Sequence, residues 1–173
     1  MKTTQITLLD EPNHTFGSSS NERSYPNELL IEDRYLPASI HGVFIDEVPF
    51  AVIGTGGGPT GVHNNSLLLI KEMAFVAVGD QVIVISLKEK SIKWHMRIDD
   101  ATCFGLYYSE KHQALIAHGE LSISRFTDSG ELLWQTSGRD IFSEGFKLMD
   151  EWIEVVDFDG VVYHFCYLTG NVL

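Results

Sequence analysis

Trp94 and Trp134 stand 40 residues apart, and the same offset carries Gly79 onto Gly119, Gly105 onto Gly145 and Gly130 onto Gly170. It also aligns Phe75 with Leu115 and Val155, Val76 with Ile116 and Val156, and Ile83 with Ile123 and Tyr163. A fixed period restricts architecture more than local propensity does, because each period must be one supersecondary unit that buries its faces by stacking on its neighbours. Within the first period the runs Leu67 to Ile70, Ala74 to Val78, Val82 to Leu87 and Ile92 to Ile98 are β-rich. Turn residues separate them at Lys71-Glu72, Gly79-Asp80 and Lys88-Glu89-Lys90. The second period turns at Glu110-Lys111, Gly119-Glu120 and Asp128-Ser129-Gly130, the third at Asp150-Glu151, Asp159-Gly160 and Thr169-Gly170. Asp-Gly and Ser-Gly suit hairpins, whose turns need a positive φ. Four strands in about 40 residues predict one antiparallel meander per period, the pattern of a propeller blade. The expected fold is therefore all-β and β-propeller-like, a single domain with three blade-like repeats over 67–173. Residues 1–66 supply N-terminal strands and loops outside the register.

The runs AFVAVGDQVIVISLKEKSIKW and ALIAHGELSISRFTDSGELLW resemble the repeats of quinoprotein-type β-propellers, in which two strands around a glycine turn lead to a terminal tryptophan. The resemblance covers 67–173 and implies that Trp94 and Trp134 dock between neighbouring sheets. Lys90 departs from it, standing where the turn glycine is expected, and nothing suggests a bound quinone. The third repeat lacks its last strand within the 173 residues. The β-like stretch Thr3 to Leu9 is expected either to join that last sheet or to leave it an open edge. Residues 10–28, polar with three consecutive serines and two prolines, read as a long mobile loop. Two further strand candidates lie near Val43 to Ile45 and Phe50 to Ile53. A small closed propeller of four blades fits the length, and so does an open fan of three sheets.

Composition narrows the partners. With 24 acidic and 12 basic side chains the formal charge is −12. Such a chain repels nucleic acid and anionic membranes and attracts cationic partners. The apolar runs fall far short of the roughly 20 residues of a spanning helix. MKTTQITLLDEP is too weakly apolar for a secretory signal. A cytoplasmic location is the expectation. Cys103 and Cys166 form no C-x-x-C pair and read as buried thiols.

The loop GTGGGPTGVHNNS, Gly54 to Ser66, contains G-x-G-x-x-G at Gly56, Gly58 and Gly61. A hairpin pattern follows it, whereas a pyrophosphate site needs a helix N-terminus. The repeat register makes it a connection between blades. No G-x-S-x-G elbow or H-E-x-x-H pair occurs, and Asp157-Phe158-Asp159-Gly160 reads as a hairpin turn in preference to a calcium loop. No cofactor or metal is expected, and the chain is expected to act by binding and not as an enzyme.

The equivalent connections 54–66, 97–105 and 137–145 should emerge on one side of the sheets, where loops on a rigid scaffold carry function. The candidate partner-binding residues are His63, Asn64, Asp99, Asp100, Phe104, Arg139, Asp140, Phe142 and Glu144, with Trp152 and Glu154 from the acidic stretch 140–159. The motifs GTGGGPTGVHNNS, DDATCFGLYYSEKHQALIAHGE and SGRDIFSEGF resemble immunity proteins of bacterial contact-dependent growth inhibition systems. That resemblance implies a cytoplasmic inhibitor, favoured as a monomer, that covers the active site of one basic toxin, commonly a nuclease. The alternatives are a small-ligand binder or enzyme using the glycine loop, and a scaffold module that assembles by edge pairing.

Overall fold

The computed structural model describes residues 4–31 and 36–173, which fold into four small sheets and, among the described residues, no helix. The first sheet contains β1 (Ile6–Asp10), β2 (Asn27–Leu30), β3 (Ser39–Ile45) and β4 (Val48–Thr55), in the order β1-β3-β4-β2. Its β2 runs parallel to β4. The second is the meander β5 (Leu67–Ile70), β6 (Met73–Val78), β7 (Gln81–Ser86) and β8 (Ser91–Arg97). The third repeats it with β9 (Cys103–Ser109), β10 (Ala114–Gly119), β11 (Ser122–Phe126) and β12 (Leu132–Ser137). The fourth has three strands, β13 (Gly145–Leu148), β14 (Ile153–Val156) and β15 (Val162–Phe165), with an isolated bridge from Phe165 to Val172.

These are the meanders that the alternation of apolar residues and turn signals requires. β6, β7 and β10 are buried along almost their whole length, because each is a central strand with a sheet on both faces. The hydrophobic core is correspondingly three slabs. One lies between the first and second sheets around Val43, Ile53, Val76 and Ile83, the next around Phe75, Val84, Leu106 and Phe126, and the last around Ile116, Ile123, Phe142 and Phe165. Among the described residues no cluster joins the first sheet to the fourth, so the sheets form an open fan. The fold is β-propeller-like and incomplete.

Three expectations change. The N-terminal strand does not reach the last sheet: β1 pairs with β3, and Thr3, where the strand was expected to begin, lies outside the described residues. Residues 11–26 are no mobile loop. They cover the outer face of the first sheet, with Glu11, His14 and Tyr25 buried. Tyr25 and Phe16 pack against Gly42 of β3 and Gly54 of β4, where any side chain would collide with the rings. Tyr25 donates a 2.6 Å hydrogen bond to Glu11, and Asn21 fastens the turn through the carbonyls of Thr15 and Ser18. The serines and prolines that read as mobility serve an ordered lid. Arg23, paired with Glu11, offers a trypsin site inside it. Tyr25→Ala is expected to open the lid and make cleavage after Arg23 at least tenfold faster than in the parent, as limited proteolysis followed by mass spectrometry would report.

The third change concerns register. Phe75 packs forward onto the third sheet, while Leu115 packs backward onto the second, so the two are not equivalent. The true counterpart of Phe75 is Ile116, which faces forward. β5 and β6 are joined by two residues, Lys71 and Glu72, whereas β9 and β10 are joined by four, 110–113, so β10 begins 41 residues after β6 and not 40. One added residue reverses which face a strand presents, and a period of 40 read from glycines and tryptophans misses it.

Candidate functional site

The loop edge is a relay of backbone hydrogen bonds across all the sheets. Gly58 N–H donates to Ala101 O (3.0 Å), Cys103 N–H to Gly79 O (2.7 Å), Glu120 N–H to Thr102 O (2.7 Å), Phe142 N–H to Glu120 O (2.7 Å) and Phe158 N–H to Ile141 O (2.8 Å). The connections 56–66, 97–103 and 137–145 and the turns 119–121 and 157–161 are thereby tied into one rim. Asp99 is its central knot. The residue is 2% exposed. Its Oδ1 accepts from the amides of Ala101 (2.8 Å) and Thr102 (3.0 Å), and Oδ2 from those of Leu121 (3.1 Å) and Ser122 (2.9 Å) and the Ser122 hydroxyl (2.8 Å). Asp80 has a similar role in the second sheet, buried, with Oδ2 2.9 Å from Nε of Arg97.

The glycine loop belongs to this relay. Side chains at Gly57 and Gly58 would strike Ala101 O, Asp80 and the Thr102 hydroxyl, so the glycines let the next connection pack onto the loop. Five of the loop's amides are spent internally: Gly58 on Ala101 O, Thr60 on Ser39 Oγ, Val62 on the Asp10 carboxylate, His63 on Ser66 Oγ and Asn65 on His63 Nδ1. A carboxylate at Val62 also repels an incoming anion.

Of the predicted site residues, His63, Asn64, Asp100, Arg139, Asp140 and Glu144 are exposed along the rim, Asp100 with 88% of its side chain accessible. Phe104 is half-buried beside His118. Two others present no surface. Asp99 is consumed by its backbone donors, and Phe142 is fully buried in the last core slab, because the connection turns inward there to seat its ring against Phe165 and Tyr163. Trp152 and Glu154 lie apart from the rim on the last sheet, where His164 packs on Trp152 and its Nε2 lies 3.2 Å from the Glu154 carboxylate. His118 is not presented beside His63 and Asp100. It is stacked on Phe146, its Nε2 2.8 Å from Phe142 O, and burial lowers its pKa so that the ring stays neutral. Burial likewise pushes the Cys103 thiol up to about 12, which makes it a packing residue.

Glu120, half-buried at the middle of the rim, and exposed Asp159 complete the acidic set with Asp100, Asp140 and Glu144. Arg139 is an exposed cation among them, and Arg97, exposed as well, is held by Asp80. Glu120 sits in a hairpin turn, and only the pairing of that turn with the two adjacent connections brings it to the site. Among the described residues no group of three or more histidine, cysteine or acidic side chains is arranged to hold a metal ion.

No protein-family model matches the chain, and no curated protein matches it. Among solved structures it is similar to BamB from Moraxella catarrhalis, a β-propeller, at 14% identity and a TM-score of 0.51. The match covers 87% of this chain and 50% of that one, so the chain spans half the length of its structural neighbour.

Proposed function

We propose that the chain is a non-enzymatic binding module whose acidic loop edge captures a basic protein, in the manner of an immunity protein that covers the active site of a cognate toxin. The observation that supports this reading is the division of labour among the carboxylates. Asp80 and Asp99 are turned inward to fix the rim, and Asp100, Asp140, Glu144 and Asp159 are turned outward from it. A preorganised row of like charges on a rigid edge speeds the encounter with a cationic surface and costs little ordering on binding. Inhibition of this kind needs no chemistry, only a complementary interface of about 1,200–2,000 Å² with a few desolvated anchors. Phe104, half-buried within the rim, is the candidate apolar anchor. The partner is a basic protein, not nucleic acid or membrane, and the module is proposed to work as a cytoplasmic monomer without cofactor.

Tagged protein used as bait in lysate of its own organism should retain one basic protein in stoichiometric amount, released progressively by salt. Reversing Asp100, Asp140 and Glu144 to lysine should slow association at least tenfold while leaving the unfolding midpoint within about 2 °C, since exposed substitutions scarcely affect stability. Retention of a partner that is not basic, or undiminished capture by the triple variant, would remove the acidic edge from the argument.

A further inference from the structure

Two neighbouring sheet interfaces are built alike but filled differently. Trp94 Nε1 donates to Asp128 O (3.0 Å) and Trp134 Nε1 to Tyr167 O (2.9 Å), and Gly130 and Gly170 lie against the respective indoles. Residues 127–128 in the third sheet therefore occupy the place of Tyr167 in the fourth. Tyr167 is 3% exposed. Its ring stacks on His112 with centroids 3.9 Å apart and planes at 13°, and its hydroxyl donates to Met149 O at 2.9 Å. It plugs the interface between the third and fourth sheets on the edge opposite the rim. At the corresponding place between the second and third sheets stand Thr127 and Asp128, which carry no ring, and a cavity of about 380 Å³ opens there.

We propose that this cavity binds a small aromatic molecule carrying a phenol-type hydroxyl. Its walls include Met73, Phe75, Leu115 and Phe126, the apolar surface that suits a ring. Its polar lining is Lys71, Tyr108, Gln113, Arg125, Thr127 and Asp128; the Tyr108 hydroxyl donates to Gln113 Oε1 at 2.9 Å, while the Thr127 hydroxyl is engaged in its own turn, accepting from the Glu131 amide at 3.0 Å. A carboxamide oxygen holds two lone pairs, so Gln113 can accept from Tyr108 and from a ligand hydroxyl together. An apolar cavity of roughly 150 Å³ already admits benzene, and the larger space here takes a ring with its substituents. Tyr167 supplies, one sheet further on, the ligand's chemistry in covalent form.

The probe is p-cresol, titrated into the whole protein and followed by amide chemical shifts. Saturable shifts in the millimolar range, confined to residues near 70–75, 108–115 and 125–128, are expected. Asp128→Tyr, at the position whose carbonyl meets Trp94 as that of Tyr167 meets Trp134, should fill the cavity, abolish those shifts and raise the unfolding midpoint. Leu115→Phe, which narrows the cavity from the third sheet, should weaken p-cresol at least tenfold and serves if Asp128→Tyr does not fold. Non-saturable shifts, shifts mapping to the outer surface, or equal binding of cyclohexanol would overturn the assignment.

Discussion

Asp99→Ala is expected to lower the midpoint of thermal unfolding by about 8–15 °C, a loss of about 4 kcal/mol. The substitution leaves the four amides and one hydroxyl that converge on this buried carboxylate without their acceptor. Each orphaned buried donor costs about 1–3 kcal/mol, partly recovered where the turn relaxes. Asp99→Asn keeps one oxygen for Ala101 and Thr102 but turns an NH2 toward Ser122, so about half the loss is expected. Asp100→Ala, at the adjoining exposed position, should change stability by less than about 0.5 kcal/mol. Calorimetry on the three variants separates a carboxylate that assembles the rim from one that faces outward. Equal midpoints for Asp99→Ala and Asp100→Ala would show that the rim does not depend on this knot.

Gly170→Ala is expected to cost about 3 kcal/mol, comparable to Trp134→Ala. A Cβ at Gly170 would lie 2.6 Å from Cδ2 of Trp134, and φ there is +71°, so the change combines collision with a left-handed backbone. Gly130→Ala should cost about half as much, because its Cβ would meet Trp94 at 3.2 Å and the ring can shift. Lys90, at φ 47°, holds the equivalent turn of the second sheet. Its departure from the repeat pattern is explained by the first sheet, which sends no tryptophan onto that turn. Lys90→Gly should stabilise by up to about 1 kcal/mol by relieving the left-handed strain. Denaturant titrations of the four variants test the rule that the glycine is required only where an indole covers it. A Gly170→Ala midpoint equal to that of the parent would refute it.

The meanders were legible because alternation, turn glycines and the tryptophan spacing are local signals that agree with the global arrangement. Strand ends such as Leu67 and Ile70 needed nothing further. Facing was not legible at Phe75 and Leu115, where a one-residue offset from the period, set by the longer turn between β9 and β10, decides which slab a side chain enters. The strands β1, β3 and β4 of the first sheet matched stretches read as β-like, but their assembly was hidden for a related reason. Its β2 joins in parallel, and its order β1-β3-β4-β2 follows from the lid, whose contacts between Tyr25 and Glu11 or Phe16 and Gly54 have no period to detect. At the loop edge, the exposed residues Asp100, Asp140 and Glu144 follow from the register. Asp99 and Phe142 carry the same residue types as surface anchors, and only the backbone donors and the core slab around them reveal their structural role. Glu120 carried no motif and reached the rim through tertiary pairing alone.

The lid also bears on the order in which a ribosome delivers the chain. Residues 11–26 leave the exit tunnel before β3 and β4 do. The segment that must shield the outer side of the first sheet is thus already waiting when that sheet forms. Of its two faces, only the one turned toward the second sheet remains bare while the next 40 or so residues are made. Each later sheet arrives against a surface prepared for it. The nascent molecule can grow in one direction, with a single sticky face at any moment, and the span of chain at risk of wrong pairing stays short.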